Sequence, residues 1–212
     1  FDTPALAARD DVRELAGWVT GDEHAGEGGR RLQTVLGRLF VEDFEATPAT
    51  WRAAVLIDRF LRADPVRAAW WYHSGRLFRA LATLARPLDD DPHAVHATAI
   101  AIHNLHRGLV TMREIRRDPV QRGRMDEDRI ALRCLKAPPS APRVLSGPTQ
   151  LPFRATPAPA GTLVLFQLAR VADDRLDAEM AFLEGQWSAC PASGFVPALL
   201  RAVWRHASAE ER

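Results

Sequence analysis

The sequence predicts a mainly α fold with a little β, and three observations carry that reading. Apolar residues recur at helical spacing through the first 118 residues. One run alone, 161–168 (GTLVLFQL), has the pattern of a clear strand. Seven prolines between 138 and 159 mark an irregular stretch that no helix crosses.

Taken in order, residues 3–18 read as a helix with Thr3 as N-cap and Pro4 in the first turn. The segment 21–29 (GDEHAGEGG) reads as a flexible break. Leu32, Val35, Leu36, Leu39 and Phe40 give residues 30–44 a helical apolar face. Thr47-Pro48 opens a helix that carries Trp51, Val55, Ile57, Phe60 and Leu61. Pro65 opens another, through Trp70, Trp71, Leu77, Phe78 and Leu81. Asp89, Asp90, Asp91 and Pro92 form an acidic start for a long helix from about His93 to Arg117, ended by Asp118-Pro119. A short helix is expected over 126–136, short strands over VLS and LPFRA, and a weak helix over 176–184. Phe195 to His206 closes the chain as an amphipathic helix, with Pro197 tolerated in its first turn. These elements divide into a helical segment, 1–88, and a region from 89 to 212. The two form either separate parts or one single domain.

Composition removes several functions. With 28 basic against 27 acidic side chains, the chain lacks the field that steers proteins onto nucleic acid or an anionic membrane. Two cysteines cannot staple a disulfide scaffold. No apolar run approaches the ~18 residues of a membrane span. No secretory signal is visible among Asp2, Arg9, Asp10 and Asp11. The expectation is a soluble, cytoplasmic protein. Lys136 is the one lysine among the basic residues, which favours a GC-rich, bacterial coding sequence.

Three features bear on chemistry. His93, His96, His103 and His106 fall within roughly 140° of arc on one face of a regular helix. Such a set can ligate a metal or move protons. No Glu-x-x-His or His-Glu-x-x-His accompanies it, so a polar face lining a cleft or solvent is the favoured reading. Cys134 sits among apolar residues as a core thiol, whereas Cys190-Pro191 stands before the last helix, a setting that favours thiolate. Trp51, Trp70 and Trp71 read as core.

The order of these pieces resembles cytochrome P450, the haem-thiolate monooxygenases. His93-Ala94-Val95-His96-Ala97-Thr98-Ala99 stands where that family has Ala-Gly-x-acid-Thr-Thr, and Ile130-Ala131-Leu132-Arg133 where it has Glu-x-x-Arg. Ala137-Pro138-Pro139 through Arg143-Val144, then Pro159-Ala160-Gly161-Thr162-Leu163-Val164, is similar to its Pro-Pro…Arg…Pro-Ala-Gly-Thr-x-Val stretch. Leu183 to Ala192 (LEGQWSACPA) is similar to its cysteine loop. The resemblance covers about residues 90–206, and a full member is nearly twice as long. The chain, which begins at Phe1 rather than Met, therefore reads as a reduced relative or as part of a longer one.

The resemblance implies a helical core made of a long central helix, a short second helix, short strands, a cysteine loop and a final helix. It implies haem b as cofactor, with Cys190 as iron ligand, Arg143 on a propionate and Arg133 as the structural arginine. The central helix would pass over the iron at Ala94 to Thr98, with His96 and Thr98 as the proton-handling pair. The sequence departs from the family at Ile130, His96 and Ala97, where the family has an acid, an acid and an alcohol. The implied function is oxidation of a small apolar molecule in a bacterial secondary pathway, with a redox partner. The alternative is a haem-free, non-catalytic homologue that stabilises another biosynthetic enzyme, as auxiliary proteins do for glycosyltransferases of natural-product pathways. A third reading, without the resemblance, is a helical binding domain.

Overall fold

The computed structural model describes residues 6, 8–21, 24–135, 141–151, 154–166 and 191–209. The fold is mainly helical, as the apolar spacing predicts. Two compact units form. One is built from residues 1–135 and 194–212, and the other from 136–193, so residues on both sides of position 88 share the first unit.

The first unit begins with α1 (Asp10–Thr20) and α2 (Ala25–Gly37). α2 starts inside the segment expected to be a flexible break. Gly28 and Gly29 lie within the helix because rings pack on them. A Cβ on Gly28 would sit 2.3 Å from the Trp18 ring, and one on Gly29 would sit 2.3 Å from the Trp51 ring. These glycines are sites of close approach rather than turn signals. α2 also ends earlier than the apolar pattern indicates, and Arg38 to Phe40 form turns.

α3 (Pro48–Leu61) opens as expected at Thr47-Pro48. The Thr47 hydroxyl accepts from the Thr50 amide at 3.1 Å, and Thr50 Oγ1 accepts from the Thr47 amide at 2.8 Å. The single helix expected from Pro65 is two, α4 (Pro65–His73) and α5 (Arg76–Ala85). Gly75, at φ 71°, turns the chain between them in the left-handed region open to glycine. Trp70 is 56% exposed on α4, so it is surface and not the core residue expected. Trp51 and Trp71 are half-buried.

The central helix has three parts: α6 (Pro92–His96), a π turn (Ala97–Ala101) and α7 (Ile102–Arg117). Asp91 caps its start, accepting from the His93 amide at 2.8 Å. Asp118 ends it and caps α8 (Pro119–Arg124), and α9 (Glu127–Cys134) comes next. The last helix, α10 (Phe195–Ala209), packs on α1 and α9, while α2 packs on α1 and α7. Val12, Leu15, Leu32, Val35, Leu109, Met112, Leu199 and Val203 are buried between these helices. Cys134 is buried as expected. Gly108 lets α7 approach the end of α9, since a Cβ there would lie 2.1 Å from the Cys134 carbonyl oxygen. Arg205 grips Glu127 bidentately at 2.5 and 2.6 Å, and Arg201 Nε donates to Asp128 at 2.5 Å. These pairs join the exposed edges of α9 and α10.

In the second unit, β1 (Ala141–Val144) and β2 (Leu163–Phe166) pair antiparallel, with Arg143 opposite Val164. The strand expected over 151–155 does not form at its described residues; Thr149 bridges Ala158 instead. Leu151, Ala158 and Val164 form a small core there. The weak helix expected over 176–184 lies outside the described residues. No helix among the described residues is long and apolar enough to cross a membrane.

Candidate functional site

The central helix is where the sequence concentrates its reactive groups, and the π turn decides how they are displayed. A π turn holds one residue more than an α turn. That extra residue rotates the downstream helix by roughly 100° relative to a regular helix. The single histidine face expected from the spacing is therefore split. His93 and His96, before the turn, are exposed. His103 and His106, after it, pack into the helical unit. The His103 ring lies 5.6 Å from Trp51, and His106 lies 5.5 Å from Trp51 and 6.0 Å from Trp18. Among the described residues no three His, Cys, Asp or Glu side chains gather into a set that could hold a metal.

His103 is buried, and its Nε2 lies 3.0 Å from the Ala54 carbonyl. A carbonyl only accepts, so Nε2 carries the proton and donates it. Burial, the largest influence, pushes the His103 pKa down. Asp58 and the Ala54 bond work against that shift, while Arg62 and Arg107 add to it.

Thr98 sits inside the π turn and is fully buried. Its hydroxyl donates to the Ala94 carbonyl at 2.8 Å, one turn back. The Thr98 carbonyl in turn accepts from Gln33 Nε2 at 3.0 Å. Gln33 is itself fully buried in α2. Its Oε1 accepts from the Thr50 hydroxyl at 2.9 Å, and Nε2 also approaches the Thr50 carbonyl at 3.3 Å. One amide thus joins α2, the start of α3 and the π turn. Neither motif nor spacing singles out Gln33 and Thr50. The signal available in the sequence is a glutamine set beside Leu32, Val35 and Leu36.

The residues expected to act together are not displayed together. His96 is exposed and Thr98 fully buried, so the two do not form a pair. Ala97, half-buried beside His96, has no hydroxyl to offer. Arg133 is exposed on α9. Ile130, where the resemblance expects an acid, is fully buried among apolar neighbours. Arg143 belongs to the other unit, its backbone in β1. Cys190 lies outside the described residues. Of the pair that the resemblance expects on the central helix, the Thr98 hydroxyl is buried and bonded to the Ala94 carbonyl, and the acid position holds His96. Compared with protein-family models, curated proteins and solved structures, the chain shows no match.

Proposed function

We propose that the chain is a non-catalytic relative of the haem-thiolate proteins, a helical scaffold that stabilises another biosynthetic enzyme. The observation that carries this reading is the Thr98 hydroxyl. It is bonded to Ala94 inside a buried turn that Gln33 closes from behind, while Ala97 leaves the neighbouring position without a hydroxyl. The order of elements supports the likeness to that family: a long central helix, a short helix ending at Cys134, paired short strands and a final helix.

A second reading rests on Cys190-Pro191, which stands just before Phe195–Ala209. On that reading Cys190 ligates haem, Arg143 meets a propionate, and the chain oxidises a small apolar molecule with electrons from a redox partner. The visible absorption spectrum of the purified chain, expressed with ample haem precursor, separates the two. The expected result is a colourless protein whose spectrum does not change on reduction with CO. One haem per chain, with a red-shifted Soret band under CO that Cys190→Ala abolishes, overturns the proposal in favour of the second reading.

A further inference from the structure

The α3–α5 pair carries a surface that the helical core does not use. Ala53, Leu56 and Ala80 floor a groove of about 440 Å³ between the two helices, and Arg52, Arg76 and Arg79 rim it. From 48 to 86 the chain holds seven arginines against two aspartates. Both aspartates are taken: Asp58 meets Arg62 at 2.8 Å and Asp64 meets Arg67 at 3.5 Å. None of the three rim guanidiniums meets a carboxylate among the described residues. At one end Arg76 lies over the exposed Trp70 ring, 5.1 Å from its centre. Tyr72 and Phe78, both about half exposed, stand edge to face with each other at 5.2 Å across α4 and α5.

We infer that this groove docks an acidic amphipathic helix of a partner protein. The small residues Ala53 and Ala80 beside Leu56 leave an apolar floor for one row of leucine-like side chains, the helix-in-groove mode. The guanidiniums then meet carboxylates on either flank of that row, in planar bidentate pairs. The Trp70 ring, under Arg76 at that end, supplies a rigid apolar contact. With 28 basic against 27 acidic side chains the whole chain gives no field to draw a nucleic acid onto this rim. That the occupant is a protein rests on the auxiliary reading; the charge and shape of the groove do not.

The test is fluorescence anisotropy with the full chain and a labelled synthetic helix. The probe carries leucines at i, i+3, i+4 and i+7, with glutamates on both flanks. Saturable binding that weakens with salt is expected. Arg76→Glu with Arg79→Glu, shown folded by circular dichroism, should lose about tenfold in affinity, roughly 1.4 kcal/mol. Arg79→Glu alone serves if the pair fails to fold. Absence of binding, equal binding of a probe with lysine for glutamate, or unchanged binding by the variants overturns the inference. So does binding to phosphatidylglycerol vesicles in place of the probe. A haem-loaded chain that still binds through Arg76 and Arg79 keeps the groove and overturns the auxiliary reading. A colourless chain that ignores the probe does the reverse.

Discussion

Gln33 is a polar side chain with no exposure, and each of its contacts comes from far along the chain. Thr50 is 17 residues away and Thr98 is 65. Replacing it by leucine takes the side-chain amide donor from the Thr98 carbonyl in a dry place and leaves the Thr50 hydroxyl to the Thr47 carbonyl at 3.0 Å. That should cost about 2 kcal/mol, and a melting curve should show it as a drop of several degrees. His103 gives a second expectation at this scale. Its folded pKa lies below the ordinary 6.5, so protons favour the unfolded chain. Its contribution is complete above pH 6.5, falls as pH drops through that value, and levels off below the folded pKa. Urea midpoints measured from about pH 8 to about pH 5 should fall, and His103→Gln should flatten the slope. A flat wild-type profile would rule out this linkage. Neither residue's role is legible in the sequence, because helical spacing names the face of a side chain and not its distant partner.

Elements are more legible than residues. Thr47-Pro48 and Asp91-Pro92 mark helix starts by local chemistry, and each works as that chemistry says; Asp118-Pro119, expected to end the long helix, does so and also opens α8, which the sequence reading does not include. Glycine misleads where packing rather than turning uses it, as at Gly28 and Gly29. Gly17, Gly29 and Gly108 give a graded set for thermal denaturation. Gly17 has nothing within 4 Å of an added Cβ, so Gly17→Ala should stabilise α1 by about 1 kcal/mol. Gly29→Ala pushes on the Trp51 ring and should cost about 1–3 kcal/mol. Gly108→Ala meets backbone oxygen at 2.1 Å, which cannot rotate aside, and should be the most harmful of the three. If Gly108→Ala melts no lower than Gly29→Ala, the close approach of α7 and α9 is misjudged.

At the scale of the molecule, helical class comes from periodicity, which is local and repeated. The site does not. The resemblance gathers His96, Thr98, Arg133, Arg143 and Cys190 by their order in the chain, but order does not fix which side of a helix a residue occupies. The single extra residue in the π turn is enough to separate His103 from His96. The α9–α10 contact tests the other extreme, where charge does the joining at the surface. Arg205 holds the Glu127 carboxyl below its usual range, in a pair largely open to water. Exposed pairs contribute little, so Arg205→Ala should lower the melting temperature less than Gln33→Leu when both are scanned together. The reverse order would mean that surface ion pairing, and not the buried amide, governs this unit.

The π turn also sets how the chain tolerates changes of length. A helix normally suffers when a residue is lost, since everything beyond the gap is turned out of its packing. Here the stretch Ala97–Ala101 stores one residue in excess. Deleting one of its alanines has somewhere to be absorbed: the loop of backbone can rewind to an ordinary turn while α6 and α7 keep their seats. The same deletion two turns further on, among Leu109, Met112 and Ile115, has no such slack. The middle of this helix is thus a joint at which the gene can shorten.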